Sequence, residues 1–483
     1  MYLGLDLGTS GLRGLLVSAD GTAVGDCSAE YSVQTPEEGW SEQDPAQWIK
    51  ACKKVMSGLR GTFPKEYVAI KGIGVAGHMH GATVLDEKGK IIRPCILWND
   101  ARAAKEAAEL DAIPEFRTLT GNIVFPGFTA PKLLWMARHE PDHFDRVSKV
   151  LLPKDYLVYW LTGRVVSEMS DAAGTSWLDV GARRWSSELI EKSGMQSRQM
   201  PDLVEGCELI GVLDAKVSAD LALPQGVGVV GGGGDNAAAA CGIGAFREGQ
   251  GFLSLGTSGV LLAAKDNYAP QPDSAVHTFC HAVPGKWYQM GVILSATDSL
   301  NWLASNLGRS VKDLSGQLPK RPDGPSSVRF LPYLSGERTP HNDTHARAAF
   351  IGMSKSTDNN ALCQAVMEGV SFALRDCLEA LKSTHTNLPG AMVIGGGSSS
   401  TFWVEMLANT LNLPIHLPAR GDFGAAMGAA RLAMVGVSDA SLSDVMTQPE
   451  IQRSYEPIPH LVAAYEVAYQ QYTKSYAALK ELL

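Results

Sequence analysis

Leu7-Gly8-Thr9-Ser10-Gly11 and Leu255-Gly256-Thr257-Ser258-Gly259 are the same five residues written twice in one chain. Each copy lies between two short apolar runs, Tyr2 to Asp6 and Leu12 to Ser18 around the first, Phe252 to Leu255 and Val260 to Ala264 around the second. Both read as strand, tight turn, strand, and in the first copy an Asp20-Gly21 turn leads on to a third strand. Five identical residues recur by chance in a long chain, so the shared context carries the argument for an internal duplication. A chain of 483 residues exceeds what one hydrophobic core holds, and two related halves are the natural division.

The turn itself has a chemistry. Glycines at a strand end free backbone N–H groups, and Thr and Ser add hydroxyls, which is the equipment of a phosphate cradle. One copy alone reads as an ordinary hairpin turn. Two copies facing each other across a cleft can hold β- and γ-phosphates from both sides. Arg13 follows the first turn and either adds positive charge near the phosphates or is an exposed strand arginine. The copies differ one residue before the repeat, Asp6 in the first and Ser254 in the second. A carboxylate beside a phosphate loop repels the ligand unless Mg²⁺ bridges them, so Asp6 is a metal-site candidate, with turn capping as its plainer role.

Outward from the hairpins, an apolar strand running into glycines and then a helix also occurs twice. Val227 to Val230 precedes Gly231 to Gly234 and Asp235; Met392 to Ile394 precedes Gly395 to Gly397 and Ser398 to Ser400. Each half is expected to combine an early hairpin with this later unit in a parallel or mixed sheet covered by helices. The boundary falls near Gly244 to Gly251, giving domains 1–245 and 246–483 tightly joined, since no Pro- or Ser-rich linker intervenes. Between Asn99 and Gly226, helical spacing at Ala101 to Leu110 and Lys132 to Arg138 elaborates the first domain. Leu461, Tyr465, Ala468, Tyr472, Tyr476, Leu479 and Leu483 form the packing stripe of a C-terminal helix.

Asp235 follows four glycines and precedes Asn236 and Ala237 to Ala240. It reads as a helix N-cap or as a carboxylate that accepts the proton of an attacking hydroxyl. In His78-Met79-His80 both imidazoles would point to one face of a strand, but no third ligand lies nearby as zinc requires. Gly77 and Gly81 suggest a close backbone turn instead, with His80 as a polar substrate contact. No Gly-x-x-x-x-Gly-Lys-Ser/Thr and no dinucleotide fingerprint occurs. The net charge of −9 with no Lys/Arg cluster speaks against nucleic acid and for a metal–nucleotide ligand whose charge is met locally. The eight cysteines are scattered, as in a reducing compartment, and no signal segment or long apolar run appears, so a cytoplasmic protein without a membrane partner is expected.

Several stretches together resemble the FGGY family of carbohydrate kinases, a branch of the fold shared with actin and hexokinase. They are Tyr2 to Ser10, Trp98-Asn99-Asp100-Ala101-Arg102, Gly127-Phe128-Thr129-Ala130-Pro131-Lys132-Leu133-Leu134-Trp135 and Gly395-Gly396-Gly397, and the likeness runs from Met1 to about Leu479. Within the family, Trp40 to Pro45, Met79 to Thr83, Ser170 to Thr175 and Leu331 to His341 resemble the bacterial xylulokinases rather than glycerol kinase. The resemblance implies two actin/hexokinase-like (ribonuclease H-like) α/β domains with an ATP cleft between them, and transfer of the ATP γ-phosphate to the 5-hydroxyl of D-xylulose. It implies Asp235 as the base, Asp6 as the essential acid near Mg²⁺, and Met79, His80, Trp98, Asp235 and Asn236 at the sugar. ATP is expected on Gly8, Thr9, Ser10 and Arg13, on Gly256, Thr257 and Ser258, and on Gly396, Gly397 and Ser400. A homodimer is also implied. The chain departs from the family pattern at Arg13, where lysine is common, and at Met406 and Ala408-Asn409, where Gln and Ala-Asp are frequent. The alternatives are a kinase for another pentulose or polyol, such as L-ribulose or glycerol, and an actin-like nucleotide switch.

Overall fold

In the computed structural model, which describes residues 1–419 and 424–481, the two repeats open two sheets of the same design. Tyr2–Leu7 and Gly11–Val17 pair antiparallel around the first turn, with Leu3, Leu5 and Leu7 buried, and Ala23–Glu30 extends the meander. On the other side of Tyr2–Leu7 lie Gly72–Gly77 and then Gly228–Val230, both parallel, with antiparallel Leu209–Val212 at the edge. The second sheet repeats this order: Gly251–Leu255 pairs antiparallel with Gly259–Lys265 on one side and parallel with Ala391–Ile394 on the other. Ile415–Pro418 follows parallel and Ile451–Tyr455 closes that edge antiparallel. Trp287–Ile293 and His277–Cys280 complete the opposite side. The duplication is thus a duplication of mixed sheets, and the chain has the expected two-domain α/β fold.

The topology corrects which later segments correspond. Ala391–Ile394 occupies the place of Gly72–Gly77, next to the repeat-bearing strand, while Gly228–Val230 lies one strand further out and corresponds to Ile415–Pro418. The two glycine-rich units that look alike in sequence are therefore not equivalent in the fold. The helix equivalent to Asp235–Ile243 is Ala425–Val437, and these two helices pack directly on each other. A Cβ on Gly428 would stand 1.7 Å from the carbonyl oxygen of Ala238, so only glycine permits this approach. The same helix lies on the first sheet, where a Cβ on Gly4 would stand 1.7 Å from the Ala426 carbonyl oxygen. Although it follows residue 245 by a long way, Ala425–Val437 covers the first half's sheet.

An apolar core containing Met79, Phe128 and Ala237 together with Phe252, Tyr288 and Leu432 joins the halves. The helix expected over Ala101 to Leu110 begins only at Ala104, because Asp100 accepts from the Arg102 amide at 2.9 Å and from its guanidinium and holds the preceding residues in a turn. Lys132 to Arg138 falls inside the helix Thr129–His139. The C-terminal helix Pro459–Lys480 buries Leu461, Tyr465, Ala468 and Tyr472, with Tyr476 and Leu479 packed beside them; Leu483 lies outside the described residues. No helix among the described residues is long and apolar enough to cross a membrane.

Candidate active site

Three strands of the first sheet end at one edge, and the register places the candidate residues there. Asp6 is opposite Arg13 on one side and Ala76 on the other, and Gly233–Gly234 pairs with Ala76–Gly77. Asp6, the segment after Gly77 and Asp235 therefore emerge side by side. The first turn stands just beyond. Its carbonyls are tied from behind: Gly8 O accepts from the Tyr31 hydroxyl at 2.6 Å, Thr9 O from Gln43 Nε2 at 2.6 Å and Ser10 O from the Tyr31 amide at 3.1 Å. The amides of Thr9 and Ser10 donate to no described residue. Trp98 donates its indole N–H to Thr9 Oγ1 at 3.0 Å, which puts this exposed ring beside the turn.

The second turn uses the same device with other partners. Gly256 O accepts from the Thr297 amide and hydroxyl at 2.9 and 2.8 Å, and Thr257 O from the Ala296 amide at 2.8 Å. Thr257 and Ser258 are exposed, and their amides donate to no described residue. Gly395, at φ 92°, lies against this turn, where a Cβ would stand 2.7 Å from Leu255 O. It brings the single turn Gly396–Ser399 alongside. Ser400 accepts from the Trp403 amide at 3.3 Å and so serves as N-cap of the helix Thr401–Leu411. Arg13 pairs with Asp26 at 3.0 Å.

Asp235 is the first residue of its helix rather than the cap expected as the plainer reading; Gly234 occupies the cap position. With no capping bond to make, its Oδ1 accepts from the Asn236 amide at 2.7 Å and from Asn236 Nδ2 at 2.8 Å. Oδ2 is left with no described donor. Burial raises the Asp235 carboxyl to about 6 against the pull of those Asn236 donors. Asp6 is raised to about 6 as well, by burial first and by the charge of Asp235 second, with Arg13 opposing. Two carboxylates that each resist ionisation and repel one another form a site that favours a shared cation. Among the described residues no group of three or more His, Cys, Asp or Glu is placed to hold a metal. Asp6 is the residue here that could hold Mg²⁺, which takes one or two carboxylates and draws its remaining oxygens from phosphates and water.

His78-Met79-His80 leaves the sheet after Gly77, so the two histidines do not share a strand face. His80 takes the left-handed conformation, φ 71°. His78 turns inward against Trp48, its ring nitrogens unpaired and buried. The His80 ring stacks on Phe128 at 4.5 Å, and its Nδ1 lies 2.7 Å from Gly174 O. A carbonyl can only accept, so Nδ1 carries the proton and Nε2 is the acceptor. Burial holds the ring neutral, pushing it down to about 3. Met79 packs beneath Gly234, where a Cβ would stand 3.0 Å from its sulfur, and the Tyr288 hydroxyl approaches that sulfur at 3.9 Å.

Sequence reasoning missed two supports. Lys132, fully buried, donates to His80 O at 2.9 Å and Gly127 O at 2.7 Å, and Thr129 Oγ1 donates to His80 O at 3.1 Å. These bonds hold the strained His80 backbone. Behind the glycine run, Ser170 Oγ accepts from the Gly234 amide at 3.0 Å and donates to Glu168 at 2.6 Å. Lys154 donates to Asp155 at 2.6 Å and stands 3.8 Å from Asp171. Lys132 and Ser170 both lay in segments that resembled family motifs, but the partners they hold are distant in sequence.

With this geometry, comparisons with known proteins find the N-terminal domain of the FGGY family of carbohydrate kinases matched over residues 1–242 and its C-terminal domain over 251–437. The xylulose kinase of Escherichia coli (strain K12) is 43% identical over 100% of both chains. That of Lactococcus lactis subsp. lactis (strain IL1403) is 37% identical over 99% of this chain and 97% of its own. The crystal structure of a xyloylose kinase from Brucella ovis superposes with a TM-score of 0.98 at 55% identity, covering 100% of each chain.

Proposed function

The chain belongs to the FGGY family of carbohydrate kinases and is a carbohydrate kinase, and from that premise we propose that it transfers the γ-phosphate of ATP to the 5-hydroxyl of D-xylulose, giving D-xylulose 5-phosphate and ADP. The observation that carries the reading is the Asp235 carboxylate: one oxygen is fixed by Asn236 and the other is free, at a strand edge shared with Met79, His80 and a phosphate-type turn. The relatives named as xylulose kinases support the choice of sugar.

In this reading the sugar lies over Met79 and His80, with His80 Nε2 accepting a hydroxyl and Asn236 and Trp98 bordering it. Asp235 Oδ2 orients the 5-hydroxyl and takes its proton as that oxygen attacks the γ-phosphorus in line. The free amides of Thr9 and Ser10 and of Thr257 and Ser258 take up charge on the phosphates from opposite sides. Arg13 adds to it from the first strand pair, and Gly396, Gly397 and Ser400 border the nucleoside. Mg²⁺, held through Asp6, supplies charge neutralisation when bound. The homodimer implied by the family rests on the resemblance alone, and sedimentation of the purified protein tests it.

The test of the reaction is coupled ADP release with and without D-xylulose. Strong stimulation is expected, and Asp235→Ala is expected to lower turnover about a hundredfold or more while sugar binding persists. Absence of stimulation in the wild type removes D-xylulose as the substrate; near-normal turnover in the variant removes Asp235 as the base.

A further inference from the structure

Arg338 belongs to the segment Leu331 to His341, whose role the reading above leaves open. Its backbone is pinned to the end of the strand Trp287–Ile293: the Thr339 amide donates to Val292 O at 3.1 Å, and the Leu294 amide donates to Glu337 Oε1 at 2.9 Å. The chain continuing from that strand grips the second phosphate-type turn through Ala296 and Thr297. Arg338 is thus fixed to the second half, yet its guanidinium lies over the ring of Phe125 in the first, 4.9 Å from the centroid. Phe125 meets Phe128 edge-on at 5.5 Å, and Phe128 is the ring on which His80 stacks.

No described residue accepts a hydrogen bond from this guanidinium or forms an ion pair with it. Of the charged and titratable groups around it, Glu337 is the acid that acts on it, through space rather than by a hydrogen bond to the guanidinium. His80 and His277 are kept neutral by burial. The Glu337 carboxyl is pushed up to about 8 by burial, and its Oε1 already serves the Leu294 and Arg338 amides. Arg338 is half-buried and keeps its face open to a cavity, and its guanidinium has five N–H donors in a planar fork that the described residues leave without acceptors. A ligand offering oxygen acceptors would meet these donors in the cavity of about 200 Å³ that Arg338 lines with Trp98, Asn99 and Phe125. Trp98 touches Thr9, so this cavity adjoins the first phosphate-type turn as well as the aromatic stack under His80.

We propose that Arg338 is a substrate-contacting residue supplied by the second half, its guanidinium donating to oxygen atoms of the sugar seated beside His80. The inference rests on the sugar site proposed above but not on which sugar fills it.

Arg338→Gln and Arg338→Lys test this, with KM for sugar and for ATP, sugar-independent ATP hydrolysis and the melting temperature measured on each. The expected result for Arg338→Gln is a sugar KM raised about ten- to a hundredfold, with ATP KM and sugar-independent hydrolysis within about twofold of wild type. Arg338→Lys should recover part of the loss, since it keeps the charge without the fork. A sugar KM within about twofold of wild type in both variants overturns the proposal, as does an ATP KM that moves as far as the sugar's. Should D-xylulose fail to stimulate the wild type, the same variants are assayed with L-ribulose or glycerol, whichever does. The D-xylulose reading then falls alone, and Arg338 is judged on that substrate's KM.

Discussion

A carboxyl group can act as a base only while ionised, and both acids at the strand edge hold their protons up to about pH 6. The shift is upward from ordinary values near 4, so the working, ionised form is complete above about pH 7 and is lost as pH falls through 6. The profile of kcat/KM for the sugar, which reports groups of the free protein, is therefore expected to show an acid limb near 6, belonging to the Asp6–Asp235 pair rather than to either acid. A limb near 4, measured by coupled ADP release, would contradict the burial seen at this edge. Lys132 makes a second prediction at the same scale. It acts through His80 rather than on the sugar, so Lys132→Met should raise the sugar KM about tenfold with little change in the KM for ATP. Equal changes in both constants would indicate general disruption instead. Asp6 and Asp235 could be read from the sequence because each adjoins glycines that announce a turn. Lys132 could not: its role needs the carbonyls of His80 and Gly127, which only the folded chain brings to one ammonium.

Among the elements, the hairpins were legible and the equivalence of the later units was not. Alternating apolar residues with a Gly-containing turn leave little choice of structure. Glycine runs, by contrast, mark any place where backbones meet closely, so Gly231 to Gly234 and Gly395 to Gly397 looked like repeats of one unit. The first lets the chain pass over Met79 into the helix bearing Asp235; the second lets a turn lie against Leu255. The true counterpart of Asp235–Ile243 is Ala425–Val437, identified by strand order, and the contact between these helices depends on Gly428. Gly428→Val would force a side chain into the Ala238 carbonyl, which neither helix backbone can yield without moving. A destabilisation of at least about 1–3 kcal/mol is expected, read as a lowered denaturation midpoint. Because Asp235 begins the displaced helix, kcat should fall in the same variant at temperatures where it remains folded. A variant with wild-type midpoint and wild-type kcat would mean that the two helices are not held at this distance.

At the scale of the molecule, the duplication suggests two bodies that could be cut apart, and the packing argues otherwise. The sequence boundary at 245 and 246 separates the two sheets, but the helix Ala425–Val437 lies far beyond it and covers the face of the first sheet at Gly4 and Gly74. Phe252, Tyr288 and Leu432 from the second half fill the same core as Met79, Phe128 and Ala237 from the first. A fragment of residues 1–245 would expose the whole of that surface. Its strands could still pair, but Tyr2, Leu15 and Val17, buried against Ala426, Met427 and Ala430, would face water. At about 25 cal/mol for each Å² of apolar surface, exposing roughly 200–600 Å² is enough to offset the about 5–15 kcal/mol by which a domain is normally stable. The fragment is expected to aggregate or to give no cooperative melting transition, and the full chain to melt in one calorimetric transition rather than two. A soluble, cooperatively folding 1–245 fragment would show that the helix is an accessory to the first half. The coupling the intact chain is expected to show is what a phosphotransferase built on this plan requires, because the edge carrying Asp6 and Asp235 and the second phosphate-type turn belong to different sheets and must keep register through a shared core.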